Sequence, residues 1–424
     1  MKRSVRSILI SLKRRLSPRK KQTIAAPPVV NAAPVTRRDN MPEWEKLSEK
    51  EFSQLVLKSI EDGSIDGLVS EMIATRDTLN EEYLKRFSLA RRAIRRKSND
   101  QKYIETLRKL FYAHTLDTYS YEQYQDVFHL RLPIFQASSF RVNLVRRGRM
   151  RQVGPVPERW LTYSKEAGDF FADLLDIKKP KTTFHVKLKN IQPATNIVIK
   201  PCIGRGARGV YMVIDFDNIL SLTEGKRLNS WQEMKESIVS ELESGVIGKD
   251  DFIVQELIYD DPVAKTPPRD LKFHMFYGEL GAVFEVSRYP EKKDWWWTAE
   301  GQPLETGWYW YAKKETDTSK DSTKLKGLGF TKDQLEIAKN ISLQIPCPYI
   351  RIDFLKSGKE ICFDEFCTVQ GNIGSLNERT DRLFGNMYLK AEMRLTEDMN
   401  NGKRFEHIKT FNKEWEYRVK GIRL

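Results

Sequence analysis

Residues 349–372 read Tyr349-Ile350-Arg351-Ile352-Asp353-Phe354-Leu355-Lys356-Ser357-Gly358-Lys359-Glu360-Ile361-Cys362-Phe363-Asp364-Glu365-Phe366-Cys367-Thr368-Val369-Gln370-Gly371-Asn372. Strand residues lead into Ser357-Gly358-Lys359, and Ile361, Cys362 and Phe363 lead back, the pattern of a β-hairpin. Each strand carries an acid, Asp353 going in and Glu365 returning. Side chains alternate faces along a strand, so a two-residue turn sends the two acids to opposite faces. A three-residue turn pairs Asp353 with Phe363 and brings Glu365 to the same face, one diagonal step away; this is the expected register. Two carboxylates that close repel unless a cation lies between them. Mg²⁺, with nucleotide phosphate oxygens completing its shell, answers that need. Arg351 shares the face of Asp353 and is placed to grip a phosphate. A solvated hairpin with no ligand is the alternative this stretch leaves open.

The rest of the chain narrows the choice. Its 424 residues suffice for two or three domains, and 40% hydrophobic content fits a folded globular protein. No run is apolar enough to span a bilayer. Cys202, Cys347, Cys362 and Cys367 show no CxxC spacing, so they read as reduced thiols of a cytoplasmic protein. The formal net charge is +14, but residues 1–38 hold eleven Lys and Arg and no acid, which leaves +3 for the remainder. The basicity belongs to a tail.

In chain order, residues 1–42 form that basic, largely disordered tail. Within it Val5, Ile8, Leu9, Leu12 and Leu16 share one helical face among basic residues. Residues 1–22 therefore read either as a peripheral contact with anionic membrane on the inner face or as a solvated tail. Residues 43–130 form a helical N-terminal region. Its cluster Arg91-Arg92…Arg95-Arg96-Lys97 is a solvated face, with no motif that specifies nucleic acid. Residues 131–192 shorten into strands and loops around one helix, Tyr163 to Leu175, with Ser164 as N-cap.

Next comes a strand ending at Lys200, a loop Gly204-Arg205-Gly206-Ala207-Arg208-Gly209, and a second strand from Val210. GxGxxG followed by a helix would suit a dinucleotide. Here a strand follows, so the loop is a hairpin tip whose backbone N–H groups could approach phosphate, with Lys200 adding charge. A tight turn with an exposed lysine is the plain alternative. A helix at 230–242 follows, then strands at 252–258, 269–278 and 282–288. Five of the nine tryptophans, Trp295, Trp296, Trp297, Trp308 and Trp310, fall together. Cross-strand aromatic packing is preferred to sugar stacking as their role. Residues 315–324 suit a mobile loop, and 331–344 a helix.

The order of these features resembles the ATP-grasp superfamily over about residues 155–395. The features are Lys165 at a helix start, strand–Lys200–Pro201–glycine hairpin, Gln255-Glu256-Leu257, Asp270-Leu271-Lys272-Phe273, and Arg351-Ile352-Asp353-Phe354…Asp364-Glu365-Phe366. The chain looks closest to the branch associated with teichuronopeptide-type and capsular polysaccharide synthesis. The resemblance implies an α+β ATP-grasp fold over 131–424, behind the helical N-terminal region. Its two α+β subdomains grip ATP, a lid at about 193–258 and a catalytic core at about 259–395, before a helical C-terminal end. Carried over, Lys165 and Lys200 contact phosphates. Gly204, Arg205, Gly206 and Gly209 cover the γ-phosphate, and Gln255, Glu256 and Leu257 flank adenine. Asp270 lies near ribose and Lys272 near phosphate, with a catalytic share for Lys272. Arg351 steadies the transferring phosphoryl group. Asp353, Glu365 and Asn372 bind Mg²⁺. Asn372 enters because Cys367 occupies the position where many relatives place a ligating Asn, and cysteine suits Mg²⁺ poorly. The implied activity is ATP-dependent ligation of a carboxylate donor to an amine acceptor (an amino acid or sugar acid) through an acyl phosphate. A non-catalytic nucleotide-binding scaffold is the competing reading. Neutralising either acid is expected to leave the ligand-free chain at least as stable as the parent.

Overall fold

The computed structural model describes residues 43–96, 101–112, 119–132, 134–204, 206–288, 293–303, 328–369 and 376–422. The basic tail, Arg205, Trp308, Trp310, the 315–324 loop and Asn372 lie outside the described residues. No helix among the described residues is long and apolar enough to cross a membrane.

The chain divides into two compact units at Ile134/Phe135. The first is helical: α1 (Glu49–Glu61), α2 (Ile65–Arg95), α3 (Gln101–Tyr112) and α4 (Tyr121–Leu130). Ser48 and Ser120 start α1 and α4 with reciprocal capping boxes. Phe87, Leu107, Phe111, Val127 and Leu132 form the core of this unit. The basic cluster on α2 has a local use, since Arg91 and Arg95 both donate to Asp126, at 2.5 and 3.0 Å.

The second unit opens with α5 (Phe140–Val153), where the sequence pointed to strands and loops. Only Phe140, Asn143 and Leu144 of α5 are buried, and its many arginines blur any single apolar face. Helix α6 (Lys165–Leu174) follows, capped as expected by Ser164 Oγ, which accepts from Ala167 N at 3.1 Å. Two antiparallel sheets then divide the labour. The first orders its six strands β1-β6-β2-β3-β4-β5, with β1 (Thr182–Val186), β2 (Ile197–Pro201), β3 (Tyr211–Asp215), β4 (Asn218–Ser221), β5 (Lys226–Leu228) and β6 (Phe252–Glu256). Helix α7 (Trp231–Glu243) packs on it through Met234 and Ile238, over a core with Ile199, Tyr211 and Phe252.

The second sheet orders β11-β10-β7-β8-β9, with β7 (Asp270–Phe276), β8 (Glu279–Ser287), β9 (Lys293–Trp297), β10 (Ile350–Ser357) and β11 (Glu360–Cys367). Helices α8 (Lys332–Leu343), α9 (Glu378–Asn400) and α10 (Glu406–Ile422) complete the unit. Trp295, Trp296 and Trp297 are buried on β9, opposite Glu285, Phe284 and Val283 of β8. Trp296 stacks on Phe284 at 4.4 Å between centroids, so these three tryptophans pack across strands. Trp297 Nε1 donates to Glu285, a fully buried carboxylate that also accepts from Arg269 and from Gly329 N. A buried charge persists when paired and hydrogen-bonded on every side.

Candidate functional site

The hairpin of β10 and β11 departs from its expected register. Ser357 pairs with Glu360, so the turn has two residues, not three. Regular pairing from that turn would put Asp353 opposite Asp364 and turn Glu365 to the other face. The register shifts between Asp353 and Phe354, however: Phe354 pairs with Phe363, and Asp353 pairs with Glu365. Asp364 is the extra residue of a β-bulge, a device that re-aims side chains. The two acids thus stand directly opposite, closer than the diagonal placement expected, and Asp364 joins them as a third.

On the other side of β10, Asp353 pairs with Lys272 of β7. Lys272, Asp353 and Glu365 therefore form one row across three strands. Lys272 Nζ lies 2.5 Å from Asp353 Oδ2, and Arg351 grips both Asp353 oxygens at 2.7 and 2.8 Å. Burial pushes the Asp353 carboxyl up, but Arg351 and Lys272 outweigh it and hold the group well below the usual carboxylate range. Burial pulls Lys272 down, and Asp353 and Asp270 more than restore it. Glu365 behaves oppositely. Burial, then the nearby Asp353 and Asp364, raise its pKa, and Arg351 Nη2 reaches it only at 3.5 Å.

Across the cleft, Lys200 Nζ on β2 donates to Asp364 at 2.9 Å. Burial raises the Asp364 carboxyl, but Lys200 and Lys165 reverse that and lower it. Lys165, at the first turn of α6, faces the same acids, and its pKa falls through burial and then the charge of Lys200. Lys165, Lys200, Lys272, Arg351, Asp364 and Glu365 line a cleft of about 1420 Å³ between the two sheets of this unit, whereas Asp353 is buried and is not among its lining residues. Its wall on the first sheet is apolar, with Val198, Met212 and Leu257. Arg151, Thr368 and Arg418 line it elsewhere, and Arg151 Nη2 donates to Thr368 Oγ1 at 2.6 Å.

The remaining sequence candidates divide. Gly204 and Gly206 line the cleft, whereas Gly209 is not among its lining residues and its N–H donates to Thr223 Oγ1 at 2.7 Å. Gln255 and Leu257 line it. Glu256 is exposed, outside the lining, and accepts from Lys181 N through Oε2. Asp270 lines the cleft and accepts from Arg288 at 2.8 Å. Cys367 donates its thiol proton to Val369 O at 2.8 Å, and burial raises its pKa, so it stays a protonated thiol. The sequence reading missed Asp364. It also missed His274, which pairs with Arg351 across β7 and β10 and whose Nδ1 lies 2.9 Å from Tyr349 Oη. Asp364 lay inside the quoted hairpin, but only a bulge gives it a place at the site, and no turn residue announces one.

Residues 147–389 match the family described as TupA-like ATPgrasp. The chain belongs to that family. It is therefore an ATP-grasp enzyme of the carbon–nitrogen ligase class, with ATP as its nucleotide. Among solved structures it is similar to D-alanine–D-alanine ligase from Bacillus anthracis complexed with ATP (12% identity, 59% of this chain and 75% of that one, TM-score 0.32). It is also similar to D-alanine–D-alanine ligase from Helicobacter pylori (13% identity, 54% and 58%, TM-score 0.30). A third is L-amino acid ligase from Bacillus licheniformis (10% identity, 55% and 50%, TM-score 0.30). The assignment rests on the family match. A search of curated proteins finds no match.

Proposed function

We propose that this protein joins a carboxylate donor to an amine acceptor, an amino acid or sugar acid, through an acyl phosphate, in cell-surface polysaccharide or peptide-polymer synthesis. One observation carries the reading. Four cations (Lys165, Lys200, Lys272, Arg351) and three carboxylates (Asp353, Asp364, Glu365) converge between two sheets, beside an apolar wall that suits a purine.

The donor set fits a hard divalent ion. Its candidates are carboxylate oxygens, and Glu365, crowded by two like charges, gains most from a cation beside it. Asp353 and Glu365 would hold Mg²⁺, with Asn372 as a further candidate. When bound, the ion supplies charge neutralisation on the transferring phosphoryl group. Lys165 and Lys200 hold phosphate oxygens as point charges. Lys272 and Arg351, braced on Asp353, present fixed donors toward the same space, which suits a reaction that needs positioning more than covalent chemistry. The donor carboxylate attacks the γ-phosphorus and ADP departs. The amine nitrogen then attacks the acyl carbon, phosphate leaves, and the nitrogen loses a proton as the amide forms. The reading expects a cytoplasmic enzyme whose residues 1–22 are either a solvated tail or a peripheral contact with anionic membrane.

Magnesium-dependent ADP release, screened over amino acids and uronic acids, tests the reading. Release stimulated by a carboxylate–amine pair is the expected result. Tight ATP–Mg²⁺ binding with no release under any pair would favour the scaffold alternative, and no nucleotide binding at millimolar concentration would remove both. Sedimentation with anionic vesicles, abolished by deleting residues 1–22 and by salt, tests the tail.

A further inference from the structure

On the wall of the same cleft, His185 of β1, Cys202 just after β2 and Asp251 just before β6 bring three metal-ligating atoms within 4.8 Å of one another. We propose that they form a second metal site, for Zn²⁺ or a similar borderline-soft divalent ion, distinct from the magnesium position. His185 Nδ1 lies 3.1 and 3.2 Å from the two Asp251 oxygens and 3.9 Å from Cys202 Sγ. Bonds of about 2.0–2.3 Å at tetrahedral angles separate ligand atoms by about 3.3–3.6 Å, so the His185–Asp251 and His185–Cys202 separations need only small shifts. The other ring nitrogen, Nε2, lies 3.2 Å from Glu166 Oε2. A metal-bound histidine characteristically gives its second N–H to a carboxylate, which fixes the tautomer. Three protein ligands leave a fourth position open to solvent or a ligand.

Local structure supports a built site. His185 sits at φ +60°, a strained backbone for a non-glycine residue, at a register irregularity between β1 and β6. That irregularity aims the imidazole toward Cys202 and Asp251. Cys202 N donates to Asp251 O at 2.9 Å, so the backbone already holds two of the ligands together. A histidine–aspartate pair alone accounts for neither the thiol nor Glu166. Thiolate and imidazole select a softer ion than the all-oxygen magnesium position does. Cys202 lies between Lys200 and Gly204, so an ion held here pins the base of the glycine hairpin to the loop before β6. Binding displaces the thiol proton and leaves the Nε2–H on Glu166.

Cobalt(II) titration of the chelator-treated full chain, without nucleotide or magnesium, tests this independently of the ligase reading. We expect a thiolate-to-cobalt charge-transfer absorption that saturates at one ion per chain and is erased by one equivalent of Zn²⁺. Cys202→Ser should abolish it. His185→Gln and Asp251→Asn should weaken cobalt binding at least tenfold, and Glu166→Gln by roughly tenfold. In the unmutated chain, Zn²⁺ should protect Cys202 from alkylation, a readout that does not depend on any variant folding. Absence of the band, its survival in Cys202→Ser, its indifference to His185→Gln and Asp251→Asn, or unprotected Cys202 would each overturn the proposal.

Discussion

Lys272 and Asp353 stand directly opposite on β7 and β10, Nζ 2.5 Å from Oδ2, and Asp353 is buried between that ammonium and the Arg351 guanidinium. Its charge is therefore structural. Asp353→Asn leaves two buried cations without their anion, which costs about 3–5 kcal/mol. The expectation that this change is harmless without ligand gives way to the opposite one. Thermal or urea unfolding of the ligand-free variant should show the loss directly.

Glu365→Gln should behave otherwise. Its carboxylate is crowded by Asp353 and Asp364, so removing its charge relieves repulsion. The ligand-free variant should unfold no earlier than the parent, while magnesium-dependent turnover falls by roughly a hundredfold or more. A Glu365→Gln variant as unstable as Asp353→Asn, with full turnover, would mean the two acids have exchanged their assigned roles.

Two glycines of the 204–209 loop should respond unequally to alanine. Gly206 and Gly209 both have φ +68°. A Cβ on Gly206 meets nothing within 4 Å, so Gly206→Ala should cost only the left-handed strain, about 1–2 kcal/mol. A Cβ on Gly209 falls 2.8 Å from Ile247 and Pro201, and forced packing adds roughly 1–3 kcal/mol. Comparing the two melting temperatures checks the difference.

His274 sets a pH dependence. Burial, then the Arg351 charge, lowers its pKa to about 3. The unfolded chain, with His near 6.5, binds the extra proton first. Stability from this group is full above about pH 6.5 and is lost as pH falls toward 3. Between pH 6.5 and 5 the loss is about 1.6 kcal/mol. Urea midpoints at the two pH values should show it, and His274→Gln should flatten that part of the profile.

The sequence by itself determined the order of the site motifs and the class of the fold, though not every element, since α5 lay where strands and loops were expected. Lys200 before a glycine hairpin, Gln255-Glu256-Leu257, Asp270-Leu271-Lys272 and Asp353…Glu365 are local signals, each written in residues a few positions apart. Ser164 capped its helix where expected for the same reason: a cap is made with a backbone N–H three residues on. The tertiary structure alone decided which charges meet. Asp353 and Glu365 share a face because Asp364 bulges, and Asp364 matters because Lys200 reaches it from the other sheet, 164 positions away in the chain. His185, Cys202 and Asp251 likewise converge from three separate segments. Alternation and turn length reveal the neighbours a strand chooses within its own hairpin. They carry no record of a one-residue register shift or of a side chain arriving from a distant strand, because those depend on how whole sheets pack.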